Sequence, residues 1–184
     1  MENNKTFYCE HLSPKYIDEI ESFTSKNDGK GLELYLKKQS LLDEKENLMR
    51  TYIVRNNRDG EIVGYFSLKA GQLSIQGRFN RLNMAIPGIE IANFSMNNSF
   101  IEKHSEIKGS GIVIFKNLIM PKIETISKEI GAQIVYIYSL PEEKVINNYH
   151  KYGFKRLPKK QERQLHRRYK PRYDKSCIFM YLKI

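Results

Sequence analysis

The stretch IKGSGIVIFKNLIMPKI, residues 107–123, sets two glycines one residue apart at the mouth of a long apolar-periodic segment. From there, apolar side chains recur at 112, 115, 119, 123, 126 and 130, intervals of three and four that lay one stripe along a helix. Pro121 interrupts this helix and predicts a kink, while Gly131 stands where a C-cap is expected. The first N–H groups of a helix lack an internal acceptor and carry the positive end of its dipole, so main chain alone can bind a phosphate there. Gly109 and Gly111 remove the Cβ atoms that would hold a ligand away, and Lys108 adds charge on the same edge. A Gly-x-Gly step is equally a plain turn before a helix, so this stretch alone leaves both readings open. Other phosphate and nucleophile motifs fail: a dinucleotide fingerprint needs glycine where Ile114 stands, a P-loop needs Gly-Lys-Ser/Thr, and a nucleophile elbow at Ser110 needs glycines at 108 and 112.

Working outward, TFYCEHL reads as a short strand and SPKYIDEIESF as a helix with Ser13 as N-cap and Pro14 in its first turn. Leu32, Tyr35, Leu36 and Leu42 predict a second helix. RTYIVRNNRDGEIVGYFSLKAG is a hairpin of β-branched and aromatic residues turning at Asp59-Gly60. QLSIQGRFNRLNMAIPG (72–88) reads as a long polar connection, and IEIANFSM as a strand beginning after Pro87-Gly88. Beyond the long helix, QIVYIYSL is a continuous apolar strand, PEEKVINNYHKY a short helix with Pro141 at its start, and CIFMYLKI a last strand. This alternation predicts a mixed α/β sheet, and 184 residues without repeat or linker predict a single domain, 1–184.

The net charge of +10 is concentrated. Residues 155–175 hold ten Lys or Arg (Lys155, Arg156, Lys159, Lys160, Arg163, Arg167, Arg168, Lys170, Arg172, Lys175) against Glu162 and Asp174, whereas the rest of the chain has 21 basic and 19 acidic residues. Such a patch attracts anionic partners or forms a solvated basic loop. No run approaches the roughly 18 apolar residues of a membrane span, and the N-terminal region has no signal-like apolar centre, so a cytoplasmic protein without a membrane partner is expected. Cys9 and Cys177, outside any C-x-x-C spacing, are expected as reduced thiols.

The strand ending in ANFSM, the Gly-x-Gly loop, the long helix, the apolar strand and then NNYHKYGF together resemble the GNAT superfamily of acetyl-CoA-dependent N-acetyltransferases, over roughly residues 50–184. The ending Y-x-x-x-G-F falls in register as Tyr149, Gly153 and Phe154. EIKGSG matches the glycines of the coenzyme loop Q/R-x-x-G-x-G/A but carries Glu106 where Gln or Arg is usual. The hairpin also resembles members related to toxins that acetylate aminoacyl-tRNA. The resemblance implies a single-domain GNAT fold, with a mixed, mostly antiparallel sheet and helices on both faces. It implies acetyl-CoA as co-substrate, held by Phe94, Ser95 and Met96 along the pantetheine arm and by Lys108, Gly109, Ser110, Gly111, Ile112 and Val113 at the pyrophosphate.

The chemistry implied is attack of an uncharged amine on a thioester, which requires a proton acceptor and a proton donor. By the resemblance, Tyr149 is the general acid that protonates the departing thiolate, and Glu90, on the strand IEIANF, is the candidate base. His150, His11 and His166 are expected to face solvent and His104 to be a loop residue. Scattered histidines without matching carboxylates give no metal site. The acceptor is an amine-bearing molecule, with tRNA or another anionic partner pointed to by the loop 155–175, where Tyr169, Tyr173 and His166 are placed to stack on unpaired bases. A non-catalytic nucleic-acid-binding module on a degenerate scaffold is the competing class, and a homodimer is left open.

Overall fold

In the computed structural model, which describes residues 6–26, 29–76, 83–107, 109–168 and 176–184, seven strands form one sheet in the order β1-β2-β3-β4-β5-β7-β6. They are β1 (Phe7–His11), β2 (Arg50–Asn56), β3 (Ile62–Gln76), β4 (Asn83–Met96), β5 (Ile134–Ser139), β6 (Lys155–Arg156) and β7 (Ile178–Lys183). The chain gathers into two compact units, Met1–Lys69 with Ala92–Lys122, and Ala70–Ile91 with Ile123–Ile184.

In the first unit, β1, β2 and the start of β3 form an antiparallel meander. The hairpin turns where expected: Gly60 takes φ 76°, a conformation that favours glycine, and its N–H donates to the Asn56 carbonyl at 2.9 Å. A 3-10 turn (Pro14–Tyr16) and the helices α1 (Ile17–Glu21), α2 (Lys30–Lys38) and α3 (Ser40–Lys45) bring Tyr16, Ile20 and Leu36 against Ile53, Ile62 and Tyr65. The expected second helix is two helices, broken at Gln39, whose φ of −119° departs from helical geometry. The break turns Leu41 toward the core and leaves Leu42 exposed. Arg55 is buried here. Its guanidinium donates to Glu10, to Glu19 at 2.6 Å and to the Gly60 carbonyl at 2.8 Å, over the Tyr16 ring, so the buried charge is paired on every side shown.

In the second unit, β4 runs parallel to β5, and β7 joins β5 to β6 in antiparallel pairs. Leu73, Ile134, Tyr136, Leu157, Leu165 and Phe179 bury a second core. Two expectations are corrected. Most of the supposed connection 72–88 is strand, since β3 runs through Gln76 and β4 starts at Asn83. Leu73 is buried and Ile86 packs against the same core, which gives these extended segments an apolar face. Pro87 fits inside β4 because its fixed φ suits extended backbone, and its carbonyl accepts Gln133 N–H at 2.9 Å. The supposed basic loop is in part the helix α8 (Lys159–Arg168), which buries Leu165 and keeps Lys159, Lys160, Arg163 and Arg167 outside. Residues 169–175, with Tyr169, Lys170, Arg172, Tyr173, Asp174 and Lys175, lie outside the described residues.

After α4 (Asn98–Lys103) and a 3-10 turn (Ser105–Ile107), the predicted long helix spans both units as α5 (Ser110–Ile114), a π-helical turn (Phe115–Ile119) and α6 (Met120–Ile130). Pro121 has no N–H and its ring crowds the carbonyl four residues back, a misfit that the wider π turn absorbs. The buried stripe runs Ile114, Phe115, Ile119, Ile123, so Ile112 lies off it and is exposed. Gly131 caps as expected, with φ 73° and its N–H on the Ser127 carbonyl at 2.8 Å. Among the described residues no helix is long and apolar enough to cross a membrane.

Candidate functional site

The glycine step and the end of β4 meet within the first unit. Gly109 holds φ 91° at the mouth of α5, a left-handed conformation in which glycine is unstrained, and a Cβ there would have no described atom within 4 Å. A Cβ on Gly111 would lie 3.8 Å from Met96 Sδ and 4.0 Å from Phe94 Cζ, so the helix mouth abuts these β4 side chains. Phe94 and Met96 share one face of β4, while Ser95 is buried on the other. The strand end is anchored by Asn97, whose N–H and side-chain amide donate to the carbonyls of Val63 and Ile62, each at 2.8 Å. Gly64 of β3 is required here, because a Cβ would lie 2.7 Å from the Ser95 carbonyl oxygen.

At the helix mouth, the Ile112 amide donates to the Gly109 carbonyl at 3.1 Å, while those of Ser110 and Gly111 have no protein acceptor among the described residues. Ile112 and Val113 are exposed and the Ser110 side chain is buried. Lys108 lies outside the described residues. Glu106 faces His104 Nδ1 at 3.5 Å, and His104 also meets Glu61 at 3.3 Å and lies tilted against the Phe100 ring. Asp59, Glu61 and His104 offer ligand atoms near one another, but Glu61 also pairs with Lys103 at 2.9 Å, and that partner holds its carboxyl below the usual range.

The two candidate catalytic groups belong to the second unit. Glu90 lies half-buried on β4, directly opposite Tyr136 in the parallel register, and the Tyr136 hydroxyl donates to Glu90 Oε2 at 3.2 Å. Sequence reading missed Tyr136, because one aromatic in an apolar strand carries no sign of its cross-strand partner. Gly71 was missed too: a Cβ there would lie 2.0 Å from the Tyr136 phenol oxygen.

Tyr149 sits on α7 (Glu143–Lys151), buried against the edges of Tyr152 and Phe154. The turn after α7 sets this packing. Gly153 takes φ 91°, its N–H bonds His150 O at 2.9 Å, and Phe154 N–H bonds Tyr149 O at 3.0 Å. Burial, helped by the neighbouring Tyr152, pushes the Tyr149 phenol up, so it keeps its proton at neutral pH. His150 is exposed as expected, with Nδ1 3.0 Å from the Phe154 carbonyl.

The basic segment corrects one histidine. Glu162, Leu165 and His166 follow at helical spacing on the inner face of α8, so His166 Nε2 is buried instead of facing solvent. Glu162 accepts from Arg156 at 2.9 Å through Oε2. Lys159, Arg163 and Arg167, with Lys160 beside them, form an outward cationic stripe about 12 Å long at 1.5 Å per residue.

The sheet order and the parallel β4–β5 pair give an α/β fold of the GNAT type. No family model and no curated protein sequence matches the chain. Among solved structures, the chain is similar to the toxin AtaT. One such structure is a tyrosine-to-phenylalanine mutant bound to the C-terminus of the antitoxin AtaR and acetyl-CoA (16% identity, 97% of this chain, 94% of that chain, TM-score 0.67). Another is AtaT complexed with acetyl-methionyl-tRNAfMet (14%, 96%, 94%, TM-score 0.68). A tyrosine-to-phenylalanine mutant of KacT is similar over 97% of this chain and 95% of that chain (14% identity, TM-score 0.70).

Proposed function

We propose that the protein is an N-acetyltransferase that moves an acetyl group from acetyl-CoA to a primary amine by direct attack, with aminoacyl-tRNA as the acceptor class. The observation that carries the reading is the meeting of Gly111 with Phe94 and Met96, which joins a main-chain phosphate cradle to the strand end suited to a pantetheine arm. The acetyl-CoA and acetyl-methionyl-tRNA bound to the fold's neighbours support it.

In this mechanism the amides of Ser110 and Gly111 bind the diphosphate, with the positive end of the helix behind them. The acceptor nitrogen attacks the thioester carbonyl, forming the C–N bond as the C–S bond breaks. Glu90 accepts the proton lost from nitrogen, directly or through water, and Tyr149 gives its proton to the departing sulfur. Solvent then returns Glu90 and Tyr149 to their starting states, leaving an amide and free coenzyme A. The tyrosine chosen for replacement in AtaT and KacT supports a phenol as the donor. The expectation of two reduced thiols, from cysteines outside any C-x-x-C spacing, suits a cytoplasmic enzyme.

The cationic stripe of α8 supports the nucleic-acid-borne acceptor and disfavours a polyamine, which it would repel. Labelled acetyl-CoA supplied with separate pools of aminoacyl-tRNA, protein and small amines is the test, and the label is expected in the first. With about four phosphate contacts, kcat/KM should fall roughly 7- to 12-fold for each doubling of salt. Label in the small-amine pool, or a salt-insensitive rate, overturns this acceptor. A chain whose melting temperature acetyl-CoA does not raise is no transferase but the non-catalytic module.

A further inference from the structure

The transferase reading assigns Glu90 a role without explaining what holds its carboxylate. We infer that Tyr136 is a positioning residue for Glu90, its hydroxyl aiming the carboxylate and stabilising its charged form, and that Gly71 is glycine to make room for that hydroxyl. The inference rests on the transferase reading and concerns a residue that the reading leaves without a role.

Three observations within the second unit support it. Glu90 and Tyr136 are register partners on parallel strands, so their side chains leave the same face of the sheet, and the phenol donates to Glu90 Oε2 at 3.2 Å. The ring has little freedom: Tyr136 is buried, with Phe179 at 5.4 Å and the edge of Tyr138 at 6.2 Å. Finally, a Cβ at Gly71 would come within 2.0 Å of the phenol oxygen and 3.0 Å of Cζ. A glycine inside a strand is unfavourable by itself, and here it clears space for the end of the Tyr136 ring, above all for its oxygen. If Tyr136 served packing alone, phenylalanine would fill the site and the glycine would relieve much less crowding.

A hydroxyl that donates to a carboxylate favours its ionised, proton-accepting form. Among the described residues, titratable side chains on this face include Tyr138 on β5, Tyr181 and Lys183 on β7, Lys155 opposite Tyr181 on β6, and Glu162 and His166 on the inner face of α8, which packs here through Leu165. The test must therefore follow Glu90 itself.

The full-length protein is compared with Tyr136→Phe, Gly71→Ala and Glu90→Gln. Carbon-13 NMR follows the glutamate side-chain carboxyls through pH, with Glu90→Gln assigning the signal. Bulk aminoacyl-tRNA is the acceptor probe for kcat, KM and the pH–rate profile. Tyr136→Phe is expected to move the Glu90 titration and the acidic limb of kcat upward together by about one pH unit, with the KM for acetyl-CoA within roughly 2-fold of wild type. Gly71→Ala, which displaces the phenol and keeps its chemistry, should reproduce the shift and add little to Tyr136→Phe. Unchanged titration in Tyr136→Phe overturns the inference, as does a titration that moves without the rate profile, or a Glu90→Gln enzyme with full turnover. Each of these leaves stabilisation by acetyl-CoA intact. Wild-type protein with neither turnover nor that stabilisation removes the transferase reading, and the inference with it.

Discussion

Replacing Gly109 with alanine perturbs one backbone conformation and little else. At φ 91°, an L-residue meets its own backbone, at a cost of about 1–2 kcal/mol. The new methyl group would have no described atom within 4 Å, so no clash with neighbours adds to that figure. If the ligand-free protein keeps the turn, the strain lowers its stability and the melting temperature falls by about 2–8 °C for a chain of this size. If the turn instead relaxes before coenzyme arrives, stability is kept and binding must restore the conformation, weakening acetyl-CoA by about 5- to 30-fold. Scanning calorimetry and titration calorimetry on the same samples divide the strain between the two. Gly111→Ala is the control. It lies inside the first helical turn, where alanine is favoured by about 1 kcal/mol, and its Cβ would sit in ordinary contact with Met96 and Phe94. Stability should hold or rise while acetyl-CoA binds several-fold more weakly, since the methyl group would project at the cradle's edge. Gly109→Ala that leaves both melting temperature and affinity unchanged would refute the argument that this turn is needed as built.

Tyr149→Phe should lower turnover by about 10²-fold or more and leave acetyl-CoA affinity nearly unchanged in equilibrium titration, because the ring packing against Tyr152 and Phe154 survives. Unchanged turnover removes Tyr149 from the mechanism. A pH prediction comes from Glu33 of α2, whose carboxylate is brought down to about 2 by the Ser25 N–H at 2.9 Å, followed by Lys30 and Lys37. Since the folded value lies below the unfolded one, its contribution is full above about pH 4.5 and fades as pH falls toward about 2. Discounted for surface screening, that contribution is about 1–2 kcal/mol. Denaturant titrations of Glu33→Gln should show a stability deficit at pH 7 that narrows through this window, and a pH-independent deficit would contradict the pairing.

Much of the fold was legible because the signals that mark it are local. Gly60, Gly131 and Gly153 each sit at a positive φ where sequence reading expected a turn, a cap or a motif ending, and a left-handed backbone selects glycine wherever the chain folds. The hairpin, the apolar strand β5 and the helix carrying Tyr149 likewise follow from periodicity within a few residues. The cradle was half legible: its glycines were plain, but that Gly111 abuts Phe94 and Met96 depends on residues 15–17 positions away.

What only the tertiary structure decided involves partners distant along the chain. The sequence reads residues 72–88 as a connection, yet 72–76 and 83–88 extend β3 and β4, because sheet neighbours and the second core supply contacts that the local sequence does not reveal. Pro121 announced an interruption, but whether the helix would kink or widen depended on which side chains had to reach the core, and Phe115, Ile119 and Ile123 are seated through a π turn. Positive charge alone made 155–175 look like a loop, and only a surface for Leu165 to cover turns 159–168 into an amphipathic helix with His166 Nε2 inside. The pairing of Glu90, Tyr136 and Gly71 had no signal in sequence at all. It arises from the register of β4 on β5 and from the close approach of Gly71 to the phenol, and register is set by the packing of whole faces, not by the residues that happen to meet.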